Sequence, residues 1–488
     1  MPCAQAKNEY SVRVAMLFNS LTFAVFFVSV LVIFWSLKSW ETRKSFLMVA
    51  SYVFYGTWNP PFAALLFATT ALDFYLGARM GNAIEPRARR VWLVISLVVN
   101  LSMLGFFKYG NFLLQNFEAL VGLLGVNYKV PHLDIILPVG ISFYTFHSLS
   151  YTLDVYSGMI KPTKSLRDFV LAVSFFPQLV AGPIVRAADF LPQCAKAPVW
   201  SRDRFLWGLW LMNLGLFEKV VLADALLSGS ANSVFGHPTA LGTLDAWTGT
   251  IAFTGQIFFD FAGYSTCAIG AALCLGFQLK DNFRFPYAAV GFSDFWRRWH
   301  ISLSTFLRDF LYIPLGGNRL GIGRAALNLI IVMFLGGLWH GAAWTFVAWG
   351  LLHGCYLVIE RVLVGIFAAK FNRPSRYIEI FFGLITYGAV CVGWVFFRAK
   401  DFTTALRLLQ SMVGLSSGGE MILSTREILQ VGVVTLLTLI FHWRLKNKTV
   451  EETASELPGW VLGSAWAFMA GAIVITRGIS NVFIYFQF

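Results

Sequence analysis

The chain is 488 residues long and 57% hydrophobic, with only 13% charged residues, about half the charged share of a soluble domain. Its mean hydropathy of +0.66 excludes a soluble globular protein, because buried surface grows too slowly with length to hide so much apolar side chain. The net charge of +13 falls in short basic clusters between apolar runs, as in cytoplasmic loops under the positive-inside rule and not as on a nucleic-acid-binding surface. This is the sequence of a polytopic membrane protein.

Met16 opens the first hydrophobic segment abruptly, so residues 1–15 read as a flexible N-terminal extension and residues 16–488 as a single transmembrane domain. The run Leu17 to Leu37 has roughly the 20 residues a spanning helix needs. It lacks a small-residue cleavage site and ends at Lys38, which marks a first transmembrane helix and not a removed signal peptide. Apolar segments follow at 45–58, 62–78, 91–107, 111–125, 132–157, 168–184, 205–228, 246–277, 325–359, 377–397, 428–443 and 459–484. Several are too short for an upright crossing of a ~30 Å hydrocarbon core, and others are too long for one. Trp58-Asn-Pro-Pro61 is a tight reversal that makes 45–58 and 62–78 a hairpin. The loops 38–44 and 79–90 lean positive through Lys38, Arg43, Lys44, Arg79, Arg87, Arg89 and Arg90, which puts both in the cytoplasm and the amino terminus outside.

Leu137-Pro-Val-Gly-Ile-Ser142 and Phe176-Pro-Gln-Leu-Val-Ala-Gly-Pro183 place proline and glycine inside apolar sequence. Lipid cannot satisfy the freed backbone groups, so these segments predict broken or re-entrant helices packed on protein or lining a wet cavity. The six cysteines show neither paired nor metal-ligand spacing, and neither a disulfide framework nor a metal site is expected. The largest polar interruption is 281–324. Within it, Phe295, Trp299, Leu303, Phe306 and Phe310 recur at three- and four-residue spacing, predicting one amphipathic interfacial helix from Asp294 to Leu311.

From Ala325 to Ile359 there is no charged residue, and His340 lies near the centre. An ionisable group in such sequence is a functional candidate by default. No other ligand type has metal-binding spacing near it, and a neutral imidazole in an apolar site suits proton transfer, as in a hydroxyl attacking a thioester. Gly337 and Gly341 would leave room for another chain or an acyl group. The alternative is a core histidine hydrogen-bonded to a neighbouring helix. His300, upstream in basic surroundings, is either a solvated interfacial residue or a group that orients the thioester or stabilises its oxygen. Arg297 and Arg298 are either positive-inside anchors or contacts to the phosphates of a pantetheine-bearing donor. Trp296 and Ser304 on the His300 stripe, Trp339 beside His340, and the intramembrane Asp260 complete the candidate substrate- or donor-binding set. His353 reads as structural.

Seven stretches together carry a resemblance that covers nearly the whole chain. They are Ala50-Ser-Tyr-Val-Phe-Tyr55, Pro138-Val-Gly-Ile-Ser-Phe-Tyr144, Pro177-Gln-Leu-Val-Ala-Gly-Pro183, Phe259-Asp-Phe-Ala-Gly-Tyr-Ser265, Phe295-Trp-Arg-Arg-Trp-His-Ile-Ser-Leu-Ser304, Leu315-Gly-Gly-Asn-Arg319 and Gly336-Gly-Leu-Trp-His-Gly341. In order and spacing the sequence resembles the membrane-bound O-acyltransferases (MBOAT), in the bacterial branch of alginate O-acetylase. The resemblance implies an all-α, multi-pass funnel with short, broken and re-entrant helices in the bacterial inner membrane. His340 matches the family histidine and His300 the second signature position. It further implies an acyl thioester such as acetyl-CoA as donor substrate, with no permanently bound cofactor. The implied partners are membrane lipid, an O-acetyltransferase of the SGNH-hydrolase type and polysaccharide synthase or export machinery; the polymer would be alginate or acetylated cellulose. A D-alanyl exporter fed by a carrier protein, and a non-catalytic polysaccharide transporter using Asp73, Asp154, Asp224 and Asp260, are the competing readings. His147 departs from the acidic or polar residue expected of the alginate enzyme.

Overall fold

The structure is a computed structural model that describes residues 16–131, 133–180, 182–367, 375–416, 418–476 and 483–484. The expected extension 1–15 lies outside the described residues. Among those residues the regular structure is helical, and strand-like pairing is confined to one isolated bridge, Leu241 with Glu420. Eight helices among them are long and apolar enough to cross a membrane. The chain folds as two compact units. One runs up to Met212 and takes in Ser265–Lys280; the other comprises Asn213–Tyr264 and the chain from Asp281 onward.

The first unit opens with α1 (Leu21–Ser36), shorter than the apolar run that predicts it because Ser20 caps its start by accepting from Phe23 N. The hairpin is α2 (Trp40–Gly56) and α3 (Pro60–Asn82), whose first residue is the proline of the predicted reversal. A long α4 (Pro86–Leu123) follows, then α5 (Ile141–Ser157), α6 (Leu166–Ser174), α7 (Phe176–Leu179) and α8 (Ala187–Cys194). The predicted breaks are present. Gly140 caps α5 at φ 73° and lies so close to the Leu179 carbonyl that a Cβ would collide with it, so these two proline-containing segments are fitted to each other.

Two helices, α9 (Arg202–Gly236) and α10 (Thr243–Cys274), have residues in both units. Within α9 the turns of Phe217–Leu227 widen to π geometry. The second unit continues with α11 (Phe292–Arg298) and α12 (Ile301–Leu307). The single amphipathic helix expected over 294–311 is therefore broken. Trp299 is extended and His300 is left-handed at φ 42°, ψ 55°, a conformation that costs a non-glycine residue about 1–2 kcal/mol. The break is held by the backbone of 282–284: Arg284 N donates to Arg298 O and Ile301 N to Asn282 O, both at 2.9 Å.

The long uncharged stretch is also two helices. α13 (Gly321–His340) ends on the histidine, and α14 (Trp344–Phe367) begins after a short reversal. α15 (Arg376–Arg398), α16 (Phe402–Met412), α17 (Thr425–Leu445), α18 (Val450–Ser455) and α19 (Gly459–Ile475) complete the chain. Gly337 and Gly350 bring α13 and α14 into backbone contact. A Cβ on Gly337 would meet the Phe346 carbonyl, and one on Gly350 the Met333 carbonyl. A Cβ on Gly341 would enter the Phe346 ring. The space expected beside His340 for an acyl group is thus filled by the protein's own α14.

Candidate functional site

Four parts of the second unit converge on the candidate residues: α10 up to Tyr264, the bend between α11 and α12, the α13–α14 reversal, and α15. His340, the last residue of α13, is 3% exposed. Its ring lies 4.9 Å from Trp339, 4.9 Å from Trp349 and 5.1 Å from Phe397, in edge-to-face arrangements. His340 thus stands at the C-terminal end of a helix, beside the reversal into α14. This placement was not visible in the apolar pattern, which put His340 in the middle of a run.

His300 is fully buried. Its ring lies 4.7 Å from Phe261 and 5.8 Å from Trp339. The Trp339 indole therefore touches both histidines. Asn282 Oδ1 lies 3.1 Å from His300 Nδ1 and accepts from Ser302 N at 3.2 Å and Ser302 Oγ at 2.8 Å. Nε2 is buried with no hydrogen-bond partner among the described residues. Burial pushes the imidazole down to about 3, so it is neutral at ordinary pH. The solvated, interfacial alternative for His300 does not hold. The break in the helix buries the ring, whereas a continuous helix would have kept it on a stripe with Trp296, Ser304 and Leu307, offset from the aromatic face.

The two arginines part company. Arg298 bonds Asp294 at 2.9 Å and donates to the Lys446 carbonyl at 2.7 Å. Arg297 stays 71% exposed, 3.8 Å from the same aspartate, and is the member of the pair able to meet a soluble anion. Trp296 packs edge-on against Trp349 (5.8 Å) and His353 (5.3 Å). Its indole Nε1 is buried without a hydrogen-bond partner among the described residues. Ser304 turns its hydroxyl back to the Trp299 carbonyl at 3.2 Å and serves the bend. His353, fully buried, lies in the same aromatic cluster, 4.9 Å from Trp349.

Asp260 belongs to a different constellation. It pairs with Lys219 and accepts from Ile484 N at 2.7 Å, while Lys219 also bonds Asp224 at 2.8 Å. The π turns of α9 place residues five apart over one another, which is how Lys219 reaches Asp224. Sequence reasoning singled out both carboxylates and missed the lysine between them, since helical spacing of 3.6 does not align positions 219 and 224. Asn282 was missed too. It stands eighteen positions from His300, and its type gave no signal.

The fold is that of a multi-pass helical membrane protein with two buried, neighbouring histidines. The model of "MBOAT, membrane-bound O-acyltransferase family" matches residues 163–398. The chain is 40% identical over 427 residues to the probable alginate O-acetylase AlgI of Azotobacter vinelandii, a match covering 86% of this chain and 83% of that protein. It is 34% identical over 490 residues to the peptidoglycan O-acetyltransferase of Helicobacter pylori, covering 91% of each. A more distant similarity, 28% over 293 residues, reaches the teichoic acid D-alanyltransferase of Bacillus subtilis, covering 56% of this chain and 71% of that one. The chain belongs to the membrane-bound O-acyltransferase family and is an acyltransferase.

Proposed function

We propose that this acyltransferase takes an acetyl group from a cytoplasmic thioester, acetyl-CoA, and passes it across the bacterial inner membrane for O-acetylation of a polysaccharide of the alginate or acetylated-cellulose kind. The observation that carries the reading is the pair of buried imidazoles, His340 and His300, in contact with one indole, Trp339. His340 is the base. It removes the proton of the attacking hydroxyl, whose oxygen bonds the acyl carbon as the carbon–sulfur bond breaks and the thiolate leaves to take up a proton. His300 assists at the same centre, and Arg297 meets the donor's phosphates. The accepting hydroxyl lies on a periplasmic partner of the SGNH-hydrolase type or on an intermediate, beside polysaccharide synthase or export machinery and in contact with membrane lipid. The activities for which the Azotobacter and Helicobacter relatives are named, both O-acetyl transfers, support the acetyl group as cargo.

Purified full chain in proteoliposomes is expected to release free CoA from acetyl-CoA, water standing in for the acceptor hydroxyl and the acetyl group leaving as acetate. His340→Ala is expected to lose about 10²–10⁴-fold of that rate at unchanged protein abundance. Wild-type release by His340→Ala would sink the assignment. The D-alanyl reading has the Bacillus relative in its favour. It requires alanyl transfer from a loaded carrier protein and no turnover of acetyl-CoA. The transporter reading is weakened by the state of three of its four carboxylates. Asp224 and Asp260 are bound to Lys219, and Asp73 accepts from Ser96 and Asn100 at 2.7–3.1 Å.

A further inference from the structure

We infer that Asn282 is a positioning residue for His300: its side-chain carbonyl holds the imidazole as the Nδ1–H tautomer, so that His300 presents a lone pair on Nε2 to the acyl-transfer centre and acts there as a hydrogen-bond acceptor. The inference rests on the acyl transfer proposed above and gives His300 a definite role within it.

Three observations fix the tautomer. Ser302 N–H can only donate, and it points to the side-chain atom of Asn282 assigned as oxygen, at 3.2 Å. That contact sets the orientation of the amide, which distance alone leaves open. His300 Nδ1, 3.1 Å from the same oxygen, faces an atom that only accepts, so Nδ1 must carry the hydrogen. The other polar neighbour of Nδ1, Ser302 Oγ at 3.4 Å, directs its own hydrogen to Asn282 Oδ1 at 2.8 Å, and so offers Nδ1 only a lone pair. Which nitrogen of a neutral histidine is free is decided by the bond the other makes. Here the free one is Nε2, buried and with no hydrogen-bond partner among the described residues.

The backbone is built to keep this arrangement. Asn282 is 1% exposed, and its own carbonyl receives Ile301 N at 2.9 Å. Backbone and side chain of one residue thus grip the chain on the C-terminal side of His300, where the left-handed conformation would otherwise relax. Phe261 and Trp339 close the ring in. A buried neutral imidazole of this tautomer cannot donate to the oxygen of a thioester carbonyl from Nε2. It can accept from an amide N–H of the donor's pantetheine arm, orienting the thioester while His340 takes the proton of the attacking hydroxyl. The expectation that His300 stabilises the developing oxyanion is replaced by this one.

The test is nitrogen-15 NMR of histidine-labelled full chain in lipid nanodiscs, the His300 signals being assigned by their loss in His300→Gln, with CoA release from acetyl-CoA measured on the same samples. The wild type is expected to show a protonated Nδ1 and an unprotonated Nε2 at His300. Asn282→Leu is expected to mix or reverse the two and to lower kcat about 10–100-fold with KM changed less than about twofold. Asn282→Asp, which keeps an oxygen at the same reach, is expected to retain both tautomer and kcat within a few-fold. It decides the matter if thermal unfolding shows Asn282→Leu misfolded: a folded Asp variant that loses both sinks the inference. So does an Nε2–H tautomer in the wild type, or full kcat in a folded Asn282→Leu. Wild-type turnover by His300→Gln would instead remove His300 from the proposed mechanism, and the inferred role with it.

Discussion

At the scale of single residues, identical types in adjacent positions have opposite fates. Arg297 and Arg298 are indistinguishable in the sequence, yet the helical turn gives Arg298 to Asp294 and the Lys446 carbonyl and leaves Arg297 exposed. His300 shows the same limit. Its residue type marked it as a candidate, but its burial depends on a bend that no periodicity announces. That burial has a measurable consequence. The groups in contact with the ring, Phe261, Trp339, Asn282 and Ser302, bear no charge, and desolvation alone lowers the imidazole from 6.5 to about 3. The folded pKa is depressed below the unfolded one, so between about pH 6.5 and 3 the unfolded chain binds the extra proton. The stability that the neutral ring contributes is complete above pH 6.5 and is lost as pH falls through that window. Thermal unfolding midpoints in detergent should fall from pH 6.5 downward, and His300→Gln should flatten that slope. Parallel pH curves for the two proteins would mean that His300 is not buried neutral.

At the scale of elements, apolar runs located helices well and their ends poorly. The length of the run 325–359 exceeds one crossing, but nothing in it places the reversal after His340, because Gly-Ala-Ala is as apolar as what surrounds it. The pattern over 294–311 was helical in register on both sides of the bend, so its break at Trp299–His300 depended on backbone bonds from 282–284 that lie far off in sequence. The proline-marked breaks at Pro138 and Pro177 were legible, since proline removes a donor wherever it falls. Packing of α13 on α14 decides which glycines matter. Gly350→Ala puts a methyl against the Met333 carbonyl, backbone that cannot step aside. It is expected to destabilise by about 1–3 kcal/mol and to impair CoA release, because His340 rides on the same crossing. Gly388→Ala, in the middle of α15 with nothing within 4 Å, is expected to be neutral or to stabilise by up to about 1 kcal/mol. Thermal unfolding of the two variants side by side checks this; equal midpoints would mean that the crossing is loose.

At the scale of the whole molecule, composition and charge pattern settled the class, and the joint order of seven motifs settled the family. What stayed hidden was how the intramembrane charges are neutralised. Lys219, Asp224 and Asp260 are all at most 3% exposed, and isolated ions so placed would be prohibitive. Their mutual pairing joins the π turns of α9 to α10. Through Ile484 N on Asp260, and Phe483 at 4.4 Å from Tyr264, it also fastens the far end of the chain to α10. Phe483 reaches Phe261 at 5.9 Å, and Phe261 in turn packs on His300. The triad is therefore a clamp set one ring away from the candidate centre. A clamp and an ion-coupling site respond differently to substitution. Lys219→Met leaves two buried carboxylates facing each other and is expected to destabilise by about 3–5 kcal/mol, whereas neutralising all three with Lys219→Met, Asp224→Asn and Asp260→Asn should restore most of that loss. The triple variant should then fold, keep Asp260's acceptor for Ile484 N as an amide oxygen, and release CoA from acetyl-CoA at a rate within a few-fold of the wild type. A triple variant that folds with a wild-type midpoint but delivers no acetyl group would make the charges part of the transfer pathway, and the clamp would be the wrong description.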